Sequence, residues 1–176
     1  MQRILTIDPG ANCGWAVRTR PNRVMFGTED FTKYAGVDGR VHDYFYRWFE
    51  GFLATVQPER VVIEAAIFRG ANSEYLYGFA NIITMLCYRR SIPLEKVAIS
   101  TAKKHITGKG DADKSRVMKC IRDLGYDIET DHEADALAIL HFREAQPDAM
   151  NTKYTGKTVQ LKSTALNRIK RRNKKA

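Results

Sequence analysis

The polar and apolar positions of this chain change period several times, and each change marks an element. Residues 4–7, Ile-Leu-Thr-Ile, read as a short buried strand closed by Asp8. Pro9 and Gly10 stop it, because proline offers no N–H to a ladder and glycine accepts unusual φ. From Gly14 to Arg20, Trp15, Val17 and Thr19 alternate with Ala16 and Arg18, which predicts a second strand. Pro21-Asn22 turns the chain, and residues 24–27 return as a third, completing an antiparallel meander. Gly36 and Gly39 mark a loop. Over residues 41–56 the period becomes helical, with Val41, Phe45, Trp48, Phe49, Phe52 and Val56 on one stripe and Arg47 and Glu50 off it. That aromatic stripe is assigned to packing against a sheet rather than to base stacking. Pro58 closes the helix.

Residues 60–65, Arg-Val-Val-Ile-Glu-Ala, form a continuous apolar run of the parallel-sheet kind. Residues 67–70 read as a loop. A helix capped by Asn72 or Ser73 runs to about Arg90, with Leu76, Phe79, Ala80, Ile83, Leu86 and Cys87 as its stripe. Pro93 breaks the chain, and residues 94–99 predict another buried strand. In the stretch 101–114, Lys103, Lys104, Lys109 and Lys114 lie in or beside a Gly-rich loop. It is not a P-loop, since the GxxxxGK[ST] spacing is absent. A helix over 113–124 turns Val117, Ile121 and Leu124 inward and stops at Gly125. A last helix over 130–141 carries Ala134, Leu137, Ala138 and His141. After Pro147 the pattern dissolves, apart from a weak stripe of Leu161, Ala165, Leu166 and Ile169 that suits a helix formed on binding DNA.

The order predicts an α/β fold: a mixed five-stranded sheet, three strands antiparallel and two parallel, flanked by helices. Strand, helix, strand makes the strands ending at Asp8 and Glu64 parallel neighbours whose ends can meet. Residues 1–146 are expected to form the folded domain and 147–176 a basic tail. Charge sharpens that division. Of 29 Lys/Arg and 20 Asp/Glu, residues 1–150 hold 20 of each. Residues 151–176 hold nine bases, among them Lys162, Arg168, Lys170, Arg171 and Arg172, and no acid. A basic arm on a neutral body suits a polyanion, with counterion release driving the contact. Cys13, Cys87 and Cys120 are widely spaced and make neither a disulfide framework nor a zinc knuckle, so a reducing cytoplasm is expected. No apolar run approaches the roughly 20 residues of a membrane span, and the start is too short in apolar residues for a signal peptide.

The candidate chemistry is acidic. Asp8 closes one apolar run, where a plain Asp-Pro-Gly turn is the competing explanation. Glu64 sits in another, where a carboxylate is expensive unless a partner or a metal compensates it. Asp131 and Asp135 at i, i+4, and His132 and Asp135 at i, i+3, can share one face of the last helix. Acids in a first turn also complement the helix dipole, so this cluster alone does not decide. Hard oxygen donors with one imidazole suit Mg²⁺ or Mn²⁺. Several carboxylates converging in a nucleic-acid binder point to two-metal phosphodiester hydrolysis.

Residues Ile7-Asp8-Pro9-Gly10 with Gly14-Trp15-Ala16, then Val62-Ile63-Glu64, then Thr107-Gly108-Lys109-Gly110 leading to Lys114-Ser115, then 132–138, His-Glu-Ala-Asp-Ala-Leu-Ala, resemble the RuvC family of Holliday-junction resolvases in order and approximate spacing. The resemblance covers about residues 3–145. It implies an RNase H-like fold, a homodimer, and cutting of four-way DNA junctions with two Mg²⁺ or Mn²⁺ ions per site. Carried over, the catalytic acids are Asp8, Glu64 and Asp135, with His132 at the fourth position and Asp131 a spare acid beside it. Lys103 and Lys114 match basic residues that face the cleaved strand. The sequence departs from the family after Glu64, where Ala-Ala-Ile-Phe-Arg leaves two expectations open: the aromatic wedge shifts to Phe68, which Arg69 follows, or it is lost. The long basic tail is a second departure. Compact relatives occur in bacteriophages and large viruses as well as bacteria, so the expected compartment is the cytoplasm of a bacterial or phage-infected cell. Two alternatives stay open: an RNase H-like nuclease with broader branched-DNA or RNA–DNA substrates, and a non-catalytic junction binder. The helix after Asn72 is the expected dimer surface.

Overall fold

The computed structural model describes residues 2–34, 39–65 and 73–146. Five strands form one sheet: β1 (Ile4–Asp8), β2 (Asn12–Arg20), β3 (Arg23–Asp30), β4 (Arg60–Glu64) and β5 (Leu94–Val97). Their order is β3-β2-β1-β4-β5, with β1, β2 and β3 antiparallel and β4 and β5 parallel to β1. This is the mixed sheet that the sequence predicts. The helices are α1 (Arg40–Val56), α2 (Ser73–Arg89), α3 (Ile99–Thr107), α4 (Lys114–Asp123) and α5 (Asp131–Glu144). Among the described residues no helix is long and apolar enough to cross a membrane.

Alternation along the strands sorts the core into two layers. Leu5, Ile7, Val17, Val61 and Ile63 face α1 and α2, where Phe45 stacks on Phe79 with ring centroids 4.2 Å apart. The aromatic stripe of α1 is therefore core, as its spacing predicts. Ile4, Ala16, Val62 and Val97 face the other way, onto α5 with α3 and α4 beside it. The middle of α5 is buried almost all round, through Ala134, Ala136, Leu137, Ala138, Ile139 and Leu140. Its small residues let it lie close to the sheet. Leu137→Ala is expected to cost about 3–5 kcal/mol, because the surrounding helices cannot close a cavity of that size. A urea melt would read this as a lower midpoint with an unchanged slope.

Several boundaries differ from expectation, among them the end of α5, which runs to Glu144 instead of His141. β2 begins at Asn12 and β3 extends to Asp30, because the two strands stay paired to the open end of their hairpin, where Asn12 meets Asp30. The strand expected over 94–99 ends at Val97, and Ala98 caps a helix instead. The segment 101–114 is not a loop throughout. Its first half is α3, which buries Ala102 and packs Ile99 and Ile106 on the α5 layer. The glycine that suggested a loop is its stop: Gly108 takes φ 80° at the helix C-terminus, where a β-carbon would be strained. Phe68 and Arg69, and the tail residues Lys162, Arg168, Lys170, Arg171 and Arg172, lie outside the described residues, as does the weak stripe beyond Val159.

Candidate active site

Strand parity aims the first two acids. In β1, Ile4, Thr6 and Asp8 share the face that looks onto α5, and in β4 Val62 and Glu64 share the same face. Because Ile7 pairs with Ile63 in the parallel register, Asp8 and Glu64 end their strands side by side. The next acids arrive from α5. Thr130 caps that helix by accepting from the Glu133 N–H, and Glu133 returns to the cap in a full capping box. The Thr130 and Thr28 hydroxyls are 2.7 Å apart, which ties the cap to β3. Position i of the first turn thus falls over the end of β1. His132 Nδ1 lies 3.0 Å from Asp8 Oδ2. Asp135, one turn on, has Lys103 Nζ of α3 at 3.9 Å. Lys114, the first residue of α4, is paired with Asp131.

The close fit of α5 depends on Gly14, which pairs with Asp8 in the sheet. A β-carbon there would lie 2.0 Å from the carbonyl oxygen of His132. The sequence marks Gly14 only as part of a motif, and its spacing role comes from the fold. Lys104 and Lys109 are exposed, on α3 and just after it.

The acids of this cluster are pushed apart, the buried ones up and Asp131 down. Burial, then the neighbouring carboxylates of Asp8 and Asp135, push Glu64 up to about 8. Burial, with Asp8 and Asp131 adding to it against Lys103, pushes Asp135 up to about 6. The hydrogen bond to Asp8 raises His132 above the usual imidazole range. Lys114 holds Asp131 below the usual carboxylate range. Each remaining acid has a basic side chain on it, Lys103 on Asp135, Lys114 on Asp131 and His132 on Asp8. Among the described residues no three His, Cys, Asp or Glu side chains are already drawn into a coordination cage. The donor set nevertheless fits a hard divalent cation. It offers three carboxylates and one imidazole with no thiolate, in a pocket whose acids repel one another until positive charge enters.

A family model described as Crossover junction endodeoxyribonuclease RuvC matches residues 4–141. The chain belongs to the RuvC family. The RuvC of Halorhodospira halophila is 30% identical over 167 residues, covering 86% of this chain and 98% of the relative. The RuvC of Wolbachia pipientis subsp. Culex pipiens is 29% identical over 147 residues, covering 78% of this chain and 89% of the relative. Among solved structures, Thermus thermophilus RuvC in complex with a Holliday junction substrate superposes with a TM-score of 0.68 at 19% identity, covering 82% of this chain and 93% of that one. At that identity the likeness is one of fold, the RNase H-like sheet and helices of RuvC. The four motifs picked out by resemblance all fall within the matched span, on β1 and β2, on β4, on α3 through α4, and on α5.

Proposed function

We propose that this chain is a RuvC-type endodeoxyribonuclease that nicks four-way DNA junctions in opposed pairs, requires a divalent cation, and acts as a homodimer. The convergence of Asp8, Glu64, Asp135 and His132 at one end of the sheet carries the reading. A protein that only bound DNA would gain nothing from carboxylates facing phosphates. Asp8, Glu64, Asp135 and His132 would hold the cation, Mg²⁺ or Mn²⁺ with two ions per site, and Asp131 stands beside them. When bound, the cation supplies Lewis acidity to the phosphate and to the attacking water.

The protein's own groups do the rest. His132 and Glu64 give up their protons so that their lone pairs face the cation. Lys103 and Lys114, freed from Asp135 and Asp131, turn to the scissile phosphate and stabilise the charge that develops there. Water attacks in line and leaves 5′-phosphate and 3′-hydroxyl ends. Residues 1–146 act as the nuclease domain. Phe68 and Arg69, Lys104 and Lys109, and the basic residues of 147–176 contact the junction.

A fixed synthetic four-way junction tests this, digested beside a flap, an RNA–DNA hybrid and a linear duplex in Mg²⁺ and in Mn²⁺. Paired nicks placed symmetrically across the junction are expected. Equal cutting of the hybrid would favour a broader RNase H-like nuclease, and tight binding without cleavage in Mn²⁺ would favour a junction binder. Metal binding is also expected to release protons. At pH 7 Glu64, raised to about 8, still carries one. Mg²⁺ titrated into the protein should therefore release at least about one proton per chain, with apparent affinity rising from pH 6 to 8. Calorimetry in buffers of different ionisation enthalpy measures the release, and Glu64→Gln should remove most of it.

A further inference from the structure

The acids on β1 and the acids on α5 belong to elements far apart in sequence, so something must set how far α5 slides along the sheet. Most of the interface cannot. It is made of Ala134, Ala136, Leu137 and Ala138 on one side and Ile4, Ala16 and Val62 on the other. Contacts of this kind are non-directional and tolerate a shift along the helix axis better than they tolerate a gap. Polar contacts hold α5 at its two ends, Thr130 with Thr28 of β3, Glu144 with Arg18 of β2 and Arg143 with Glu95 of β5. In the middle of the interface, beside the acids, one polar side chain interrupts the apolar contacts. Thr6 is fully buried within the apolar run of β1. Its Oγ1 lies 2.8 Å from the carbonyl oxygen of Ala136 and 3.2 Å from that of Ala16. A hydroxyl has a single proton to donate, so it goes to Ala136 and the Ala16 oxygen is the longer second acceptor.

The placement matters more than the bond itself. Ala136 follows Asp135 directly in α5. Thr6 precedes Asp8 by two residues on the same face of β1. The hydrogen bond therefore joins the backbone one residue from one acid to the strand two residues from another. A valine would match the shape of Thr6 in this apolar run with no polar atom to satisfy, which leaves positioning as what the hydroxyl contributes.

We propose that Thr6 is a positioning residue whose hydroxyl sets α5 on β1, so that Asp135 and His132 meet Asp8 at the separation a divalent cation requires. The proposal rests on the reading of this site as a metal-dependent nuclease centre. Its measurable consequence is metal affinity, since supporting groups of this kind typically govern binding by about 10- to 100-fold.

The test compares Thr6→Val, which removes the hydroxyl and keeps the shape, with Thr6→Ser, which keeps the hydroxyl. Mn²⁺ affinity is read directly by water-proton relaxation on the full chain, at a temperature where melts show every variant folded. Thr6→Val should bind Mn²⁺ about 10-fold more weakly, and Thr6→Ser should stay within about threefold of the parent. Leu137→Ala, which weakens the packing of α5 without touching this bond, should lose stability and keep its Mn²⁺ affinity; a purely structural role for Thr6 would make the two variants behave alike. Equal Mn²⁺ affinity in Thr6→Val and the parent overturns the proposal. If Thr6→Val does not fold, Thr6→Cys, a weak donor, replaces it against Thr6→Ser, and equal affinity in that pair overturns the proposal too. A parent chain that fails to nick junctions in Mn²⁺ sinks the nuclease reading instead, and the relaxation comparison still decides on Thr6.

Discussion

Asp8→Asn is expected to lower metal-dependent nicking at least about 10³-fold while junction binding is kept or tightened. A factor of that size corresponds to about 4 kcal/mol of lost transition-state stabilisation. The size follows from where Asp8 sits. Its carboxylate ends β1 beside Glu64, receives His132 Nδ1 at 3.0 Å, and raises both of those groups. An amide keeps the shape and removes the charge. His132 then loses the interaction that lifts it, Glu64 loses one of the charges that protonate it, and on the proposed reading the cation loses a ligand. The same change makes the pocket less repulsive to phosphates, so affinity for DNA does not fall with activity. Single-turnover nicking in Mg²⁺, set beside gel-shift binding in Ca²⁺, separates the two. Full nicking by Asp8→Asn would show that this acid is not part of the reaction.

Gly14→Ala is expected to be nearly as damaging by a different route. The new β-carbon would meet the His132 carbonyl at 2.0 Å for the oxygen and 2.4 Å for the carbon. Both atoms are backbone and cannot rotate away, so either β2 or the first turn of α5 must move. Overpacking of this kind costs about 1–3 kcal/mol, or about 3–10 °C in melting temperature for a chain of this length. Nicking should fall about 100-fold, because misplacing a reacting group by about 1 Å costs that much. Gly51→Ala is the matched control. Gly51 lies inside α1 with nothing within 4 Å of its β-carbon position, so the change should be neutral or stabilise by up to about 1 kcal/mol. Equal melting temperatures and rates for Gly14→Ala and the parent would show that α5 does not depend on this contact.

What could be read from the sequence depended on how each feature is encoded. Asp8 and Glu64 stood out because an acid closing a Val/Ile-rich run breaks the pattern of a buried strand. The five-stranded mixed sheet followed from strand, turn and helix signals that agreed with one another. His132 and Asp135 could be placed on one helical face by spacing alone. α3 could not be found this way. Its stripe of Ile99, Ala102 and Ile106 is short, two lysines interrupt it, and Gly108 and Gly110 look like loop chemistry until Gly108 is seen as the helix stop. The roles of Gly14 and Thr6 were equally hidden. One is defined by a carbonyl 118 positions away and the other by a carbonyl 130 positions away, and no local rule reaches that far. The pairing of Lys114 with Asp131 was missed for the same reason, although both residues had been singled out.

The last described helix also fixes when the site can exist. A chain growing from its N-terminus completes β1 and β4 early and carries Asp8 and Glu64 without any nuclease centre. His132 and Asp135 are added only with α5, and they reach Asp8 only when that helix has closed over the finished sheet. On the proposed assignment of the site, a polypeptide interrupted anywhere before Asp131 is therefore expected to lack cutting activity.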